Sequence, residues 1–243
     1  MRATRTRVGG FDLAVTEAGE RGAAPFVLVH GIGMSARYFR PLVEVLGRDG
    51  HVVAPDLPGF GASARPRSVL GIAELAATVA ALVEETGLVR PVLIGHSMGC
   101  QVVTEVLATR PGLAAGGVLI GPVTDDDARS APRQAVRLLR DGRHEPLRLN
   151  ALITADYVRC GPRRYLATLR HMLDYRTEER ISQVTDPVVV VRGDRDPIAP
   201  APWVARLAAA APAGTVAQVA GAGHVAHYTR PDQVSRLCQA VTC

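Results

Sequence analysis

Apolar and polar residues follow two different periods along this chain, and the switches between them outline a fold. Residues 2–8 (RATRTRV) alternate, Gly9-Gly10 allows a tight reversal, and Phe11–Thr16 alternates again, which predicts an antiparallel hairpin. Six short segments of strand length follow: Phe26–Val29, His51–Ala54, Pro91–Ile94, Gly117–Ile120, Pro187–Val191 and Thr215–Val219. Most are continuously apolar, as strands buried on both faces must be. Between them apolar residues recur at helical spacing. Tyr38, Phe39, Leu42, Val43 and Leu46 form one stripe behind Ser35, which can cap a helix there. Ile72, Leu75, Val79, Leu82 and Val83 form another, opened at Gly71 or Ser68 and closed by Gly87. Further helices are predicted over Gln101–Arg110, Pro200–Ala210 and Pro231–Ala240. Strand and helix in alternation imply an α/β fold: a mostly parallel eight-stranded sheet with helices on both faces, and ligands at the carboxyl ends of its strands.

Between Pro122 and Pro187 the alternation stops. Helical segments at 131–140, 146–153 and 162–175, separated by Gly142 and by Cys160-Gly161-Pro162, read as a helical cap inserted at 122–186 into a core of 1–121 and 187–243. Its apolar positions exceed what short helices need for their own packing. Leu139, Leu152, Tyr157 and Leu166 from the insert, with Met34 and Val225 from the core, are therefore expected to line a substrate pocket.

The chemistry concentrates at PVLIGHSMGC, residues 91–100. A buried strand runs straight into a helix through Gly95-His96-Ser97-Met98-Gly99, so Ser97 sits on a sharp, strained turn that only glycines at 95 and 99 leave room for. The turn holds the hydroxyl clear of the sheet and puts the Met98 amide at a helix N-terminus. The glycine segment after Val29, His30-Gly31-Ile32-Gly33, can bring the Ile32 amide into the same space, and two converging amides make an oxyanion hole. His30 reads as a hydrogen-bonded core residue, and Asp56, among prolines and glycines, as a holder of local backbone amides. A serine hydroxyl needs a base, and the base a carboxylate. The later strands end in Gly193-Asp194-Arg195-Asp196 and Gly221-Ala222-Gly223-His224, which supply both. His227 is a rival base, but the Gly-Ala-Gly turn delivers His224.

Composition narrows the function classes. The chain has 243 residues, 47% of them hydrophobic, with no apolar stretch long enough to span a bilayer. Its net charge of +5 comes entirely from arginine, spread among 23 acids, and aromatics are only 4%, so neither basic runs nor stacking platforms point to nucleic acid. Cys100, Cys160, Cys238 and Cys243 show no metal spacing or C-x-x-C pair and read as reduced thiols. No apolar signal core follows the basic start MRATRTRVGG, so a cytoplasmic protein is expected. No metal or cofactor is expected. The expected partner is a small-molecule substrate, with no nucleic acid or membrane, and a homodimer is left open.

The order Ser97, Asp196, His224, together with G-H-S-M-G, H-G-I-G, P-D-L-P-G-F-G-A-S, G-D-R-D-P-I-A-P and G-A-G-H, resembles the α/β-hydrolase superfamily over nearly the whole chain except the insert. The resemblance implies a Ser97-His224-Asp196 triad, with Asp196 rather than Asp194 as the acid, and an oxyanion hole from the backbones of Ile32 and Met98. It looks most like the capped lineage of esterases, lactonases, cofactor-free haloperoxidases and C–C bond hydrolases. Serine at the turn argues against a dehalogenase or epoxide hydrolase, which would carry aspartate there. Cys100 departs from the pattern, since many relatives have a second glycine at that point. Hydrolysis of a carboxylic ester, lactone or thioester of a medium-sized apolar molecule is the leading reading. C–C bond hydrolysis, acyl transfer or elimination, and a triad-bearing receptor are alternatives. An arginine turned inward, at Arg163 or Arg164, would favour an anionic substrate.

Overall fold

The strand-length segments come together in one sheet in the computed structural model, which describes residues 1–126, 129–141 and 146–241 apart from the side chains at 134, 135 and 139. The strands are β1 (Arg2–Val8), β2 (Phe11–Ala18), β3 (Ala24–Val29), β4 (Gly50–Pro55), β5 (Val92–His96), β6 (Gly116–Ile120), β7 (Val188–Gly193) and β8 (Gly214–Val219). They lie in the order β1-β2-β4-β3-β5-β6-β7-β8. β1 and β2 form the expected hairpin, with Val8 opposite Phe11 across Gly9-Gly10. β2 is antiparallel to β4, and the remaining pairs are parallel.

Burial explains the unbroken apolar runs. On β3, Val27 and Val29 join one core cluster while Phe26 and Leu28 join the other, and on β5 Leu93 separates in the same way from Val92 and Ile94. The first cluster is closed by α2 (Ile72–Glu85), α3 (Met98–Thr109) and α8 (Ala201–Ala210). The second is closed by α1 (Arg40–Leu46), α9 (Ala226–Thr229) and α10 (Pro231–Gln239). Because β3 is followed by β4 on one side and β5 on the other, the strand order reverses at their carboxyl ends, where a crevice opens.

Several local readings differ from the expectation. Ser35 does not cap the first helix through its side chain; a 3-10 turn, Ala36–Phe39, precedes α1. Asp56 accepts the Ala36 amide at 2.7 Å instead, while the Ser35 hydroxyl donates to Asp156 at 2.8 Å. Between β6 and β7 lie α4 (Ala131–Asp141), α5 (Leu147–Cys160), α6 (Pro162–Asp174) and the short α7 (Thr177–Arg180). α5 continues past Ile153 to the Cys160-Gly161 break, and neither α7 nor α9 was foreseen. Buried Asp156 on α5 also pairs with Arg37 at 2.7 Å, so α5 is bolted to the loop after β3.

Candidate active site

The strand-to-helix turn after β5 takes the form that its glycines dictate. Ser97 has φ 57° and ψ −121°, a backbone conformation that L residues rarely adopt. A Cβ on Gly95 would lie 2.4 Å from the Gly99 carbonyl oxygen, and one on Gly99 would lie 2.1 Å from that of Val29. Cys100 fits behind the turn because its thiol is small and donates to the Gly95 and Ile120 carbonyls, at 3.3 Å each. Burial pushes that thiol's pKa far up, which keeps it protonated. Gly95→Ala is expected to cost about 1–3 kcal/mol of stability through overpacking and to reduce turnover as well, since relief of the clash displaces Ser97. Urea unfolding and an ester assay on the same sample check both effects.

The ends of β7 and β8 bring Asp196 and His224 together. His224 Nδ1 lies 2.9 Å from Asp196 Oδ2, and Asp196 Oδ1 accepts the Ile198 amide at 2.7 Å and the Ala199 amide at 3.1 Å. Burial works to raise the Asp196 pKa, but the charge and hydrogen bond of His224 and the two amides together hold it below the ordinary carboxylate value. A carboxylate at Nδ1 fixes the imidazole tautomer and leaves Nε2 as the basic nitrogen. Room for the pair comes from Gly121, at φ 58°, where a Cβ would lie 2.8 Å from His224 Nδ1. Asp194 does other work: its Oδ1 accepts the Ala222 amide at 3.1 Å, shaping the turn that delivers His224.

The other polar candidates are occupied structurally. His30 is buried, its Nδ1 bonded to the Gly31 carbonyl at 2.8 Å and its Nε2 accepting the Leu57 amide at 2.9 Å. Asp56 holds the amides of Ala36 and Ala62, at 2.7 Å each. His227 is fully buried against Tyr38, Phe39 and His96, and neither ring nitrogen has a hydrogen-bond partner among the described residues. It is a packing residue. Among the described residues no group of three His, Cys, Asp or Glu side chains is placed to hold a metal ion, and no helix is long and apolar enough to cross a membrane. Cys100, Cys160 and Cys238 are buried free thiols, and Cys243 lies outside the described residues.

Ser97 and His224 open on one cavity of about 620 Å³ at the switch point. Met34, Tyr157, Leu166 and Val225 line it, and so does Ile32. Met98 does not: its side chain is buried in the core, and what it offers is the N–H at the first position of α3. Neither the Ile32 nor the Met98 amide is spent on another group among the described residues. Leu152 is a correction. Asn150, Ile153 and Tyr157 form the cavity face of α5, whereas Leu152, one residue round the helix, does not line the cavity and only packs on the core cluster around α1, which Ile153 and Tyr157 also touch. The side chain of Leu139 lies outside the described residues; Leu138 lines the cavity. Neither expected arginine reaches it. Arg163 is exposed, and Arg164 donates to the Pro66 carbonyl at 3.2 Å, lying along the loop that contains Gly59. The sequence reading missed five polar wall residues: Tyr38, His96, Asp141, Asn150 and Tyr165. Asp141 is buried at the end of α4, and its Oδ1 accepts the His224 backbone amide at 2.9 Å.

The arrangement is a hydroxyl on a strained turn and an imidazole held by a buried carboxylate, both opening on a mainly apolar cavity, with the Ile32 and Met98 amides unspent among the described residues. Comparison with known proteins agrees with the fold that carries it. The solved structure of the enol-lactonase from Burkholderia xenovorans superimposes with a TM-score of 0.83 at 21% identity, covering 98% of this chain and 99% of that one. The chain is 27% identical over 235 residues to (E)-2-((N-methylformamido)methylene)succinate hydrolase of Acinetobacter baylyi, covering 89% of each. It is 30% identical over 241 residues to the pimeloyl-[acyl-carrier protein] methyl ester esterase of Xanthomonas axonopodis, covering 88% of this chain and 92% of the relative. These relatives are hydrolases, and the model of one family matches residues 26–237, from β3 into the last helix. The chain belongs to the alpha/beta hydrolase family.

Proposed function

We propose that the protein is a serine-dependent carboxylic ester hydrolase acting on an uncharged, largely apolar ester or lactone of medium size. The wall of the cavity over Ser97 carries this reading. It is built mainly of aliphatic and tyrosine side chains, includes the acid Asp141, and contains no arginine among the described residues. A substrate carboxylate inside such a wall would be desolvated without a cationic partner. The Acinetobacter relative is named for a substituted succinate, a dicarboxylate, and nothing described in this wall pairs with one. The same lack weighs against C–C bond hydrolysis of an anionic ring-fission product.

In the proposed reaction Ser97 Oγ attacks the ester carbonyl carbon as His224 Nε2 takes its proton. The carbonyl oxygen becomes an oxyanion, received by the Ile32 and Met98 amides. Collapse breaks the C–O bond, and the proton on His224 passes to the departing alkoxide. Water, deprotonated by His224, then hydrolyses the acyl-enzyme and restores Ser97. Asp196 holds Nδ1–H throughout and stabilises the imidazolium.

A matched pair of esters tests the substrate class. A neutral aryl ester is expected to exceed its analogue with a terminal carboxylate on the acyl chain by about 10-fold or more in kcat/KM, each 10-fold being ~1.4 kcal/mol of transition-state binding. Arg163→Met and Arg164→Met should leave that ratio unchanged. Equal rates on the two esters, or preference for the carboxylate, would contradict the neutral-substrate reading. Absence of turnover across a range of esters would favour a ligand-holding receptor.

A further inference from the structure

The proposed triad leaves unused a buried line of polar groups that ties together the three loops at the cavity floor. The Gly31 amide, in the loop after β3, donates to Tyr38 Oη at 2.9 Å. Tyr38 Oη is 2.7 Å from His96 Nδ1, and His96 Nε2 is 3.1 Å from the carbonyl oxygen of His224. Tyr38 and His96 are 1% and 3% exposed, so none of these bonds is readily exchanged for water. We propose that Tyr38 and His96 are positioning residues for the reaction: they hold the oxyanion loop, the Ser97 turn and the His224 loop at fixed separations. This role rests on the serine-hydrolase reading above.

The protons in the chain run in one direction. An amide can only donate and a carbonyl can only accept, so Gly31 N–H donates to Tyr38 and His96 Nε2–H donates to His224. His96 is neutral, because burial and the neighbouring His227 and His224 rings all disfavour its cation. A neutral imidazole with its proton on Nε2 has a bare Nδ1, so the Tyr38 hydroxyl donates there. Each bond thus fixes the next. The ring positions are held as well, with His96 and His224 centroids 4.6 Å apart and Tyr38 and His96 5.4 Å apart. Gly31 approaches the serine so closely that a Cβ there would lie 3.0 Å from Ser97 Cβ. A slip of a few tenths of an ångström in this line therefore moves the Ile32 amide relative to Ser97, and His224 relative to both. Small misalignments of reacting groups are costly in rate.

Tyr38→Phe is the discriminating variant, because it keeps the ring and its packing and removes only the oxygen. It leaves Gly31 N–H without its acceptor and frees the His96 proton to move to Nδ1, breaking the bond to His224. The expected result is a fall of about 10–100-fold in kcat with KM changed by less than about 3-fold, the signature of a contact that matters in the transition state. The rate of acylation by a fluorophosphonate should fall in parallel, and the melting temperature should fall by only a few degrees, the cost of one buried donor left unpaired. His96→Gln, which again offers an acceptor and a donor, should retain more activity than His96→Leu. Nitrogen NMR should show wild-type His96 as the neutral Nε2–H tautomer and Tyr38→Phe with that tautomer lost or mixed. Wild-type kcat in Tyr38→Phe, a loss matching only the unfolded fraction, or an Nδ1–H tautomer in the wild type would each overturn the assignment. A wild-type enzyme that the phosphonate does not label would overturn the serine reading, and the positioning role with it.

Discussion

Ser97→Ala is expected to reduce kcat on a neutral ester by roughly 10⁵–10⁶-fold, and His224→Ala by a similar factor. The reason is chemical. The hydroxyl is a poor nucleophile until an imidazole takes its proton, and the imidazole has nothing to activate once the hydroxyl is gone. The double variant should therefore be no slower than either single one. Both side chains open on the cavity rather than filling the core, so circular dichroism and melting curves should stay near wild type. Additive losses in the double variant would mean that the two residues act in separate steps and would break the proposed pair.

Asp196→Asn is expected to lower kcat by roughly 10³–10⁴-fold, whereas Asp194→Asn should cost far less. The asparagine amide would present N–H or C=O to Nδ1 indifferently, and His224 would lose the partner that fixes its tautomer and supports its cation. Asp194 lies on the same loop but holds the Ala222 amide, so its replacement disturbs only a turn. The pH dependence of stability offers a second reading of the same side chain. The folded pKa of Asp196 lies below its ordinary 3.8. Its ionisation therefore stabilises the native state above the unfolded value, and that contribution is lost as pH falls through the folded one. Urea midpoints measured from neutral to acidic pH should show Asp196→Asn lacking that acid-side step. Reversal of the two aspartates in the kinetic assay would transfer the acid role to Asp194.

The parts of this site legible in the sequence are those where the backbone has few alternatives. An apolar run ended by Gly95, a serine and Gly99 leaves little but a strand, a tight turn and a helix, and Ser97 stands there with its positive φ. The glycines at 221 and 223 brought His224 forward over His227 for the same reason. Asp194 and Asp196 are both carboxylates on one short loop, and only the family resemblance separated them before their contacts were known. Helical phase was harder to read. Leu152 and Ile153 are equally apolar, and a rotation of about 100° per residue decides which meets the cavity, a matter settled by the packing of α5 on the loop after β3. Tyr38 was counted as one more apolar position on a stripe, and its hydroxyl became informative only when Gly31 and His96 were seen on either side of it. Arg164 shows the converse limit. Its place beside Pro162 at a helix start left its direction open, and a carbonyl on a loop 98 residues away took it out of the cavity.

The most direct measurement is covalent labelling. Incubation of the wild-type protein with a fluorophosphonate, followed by intact-mass and peptide analysis, is expected to show one adduct per chain on the Ser97 hydroxyl. The adduct should be absent in Ser97→Ala and strongly slowed in His224→Ala, because the reagent reports an activated serine rather than an exposed one. An unlabelled wild-type protein, or an adduct that persists in Ser97→Ala, would contradict the account.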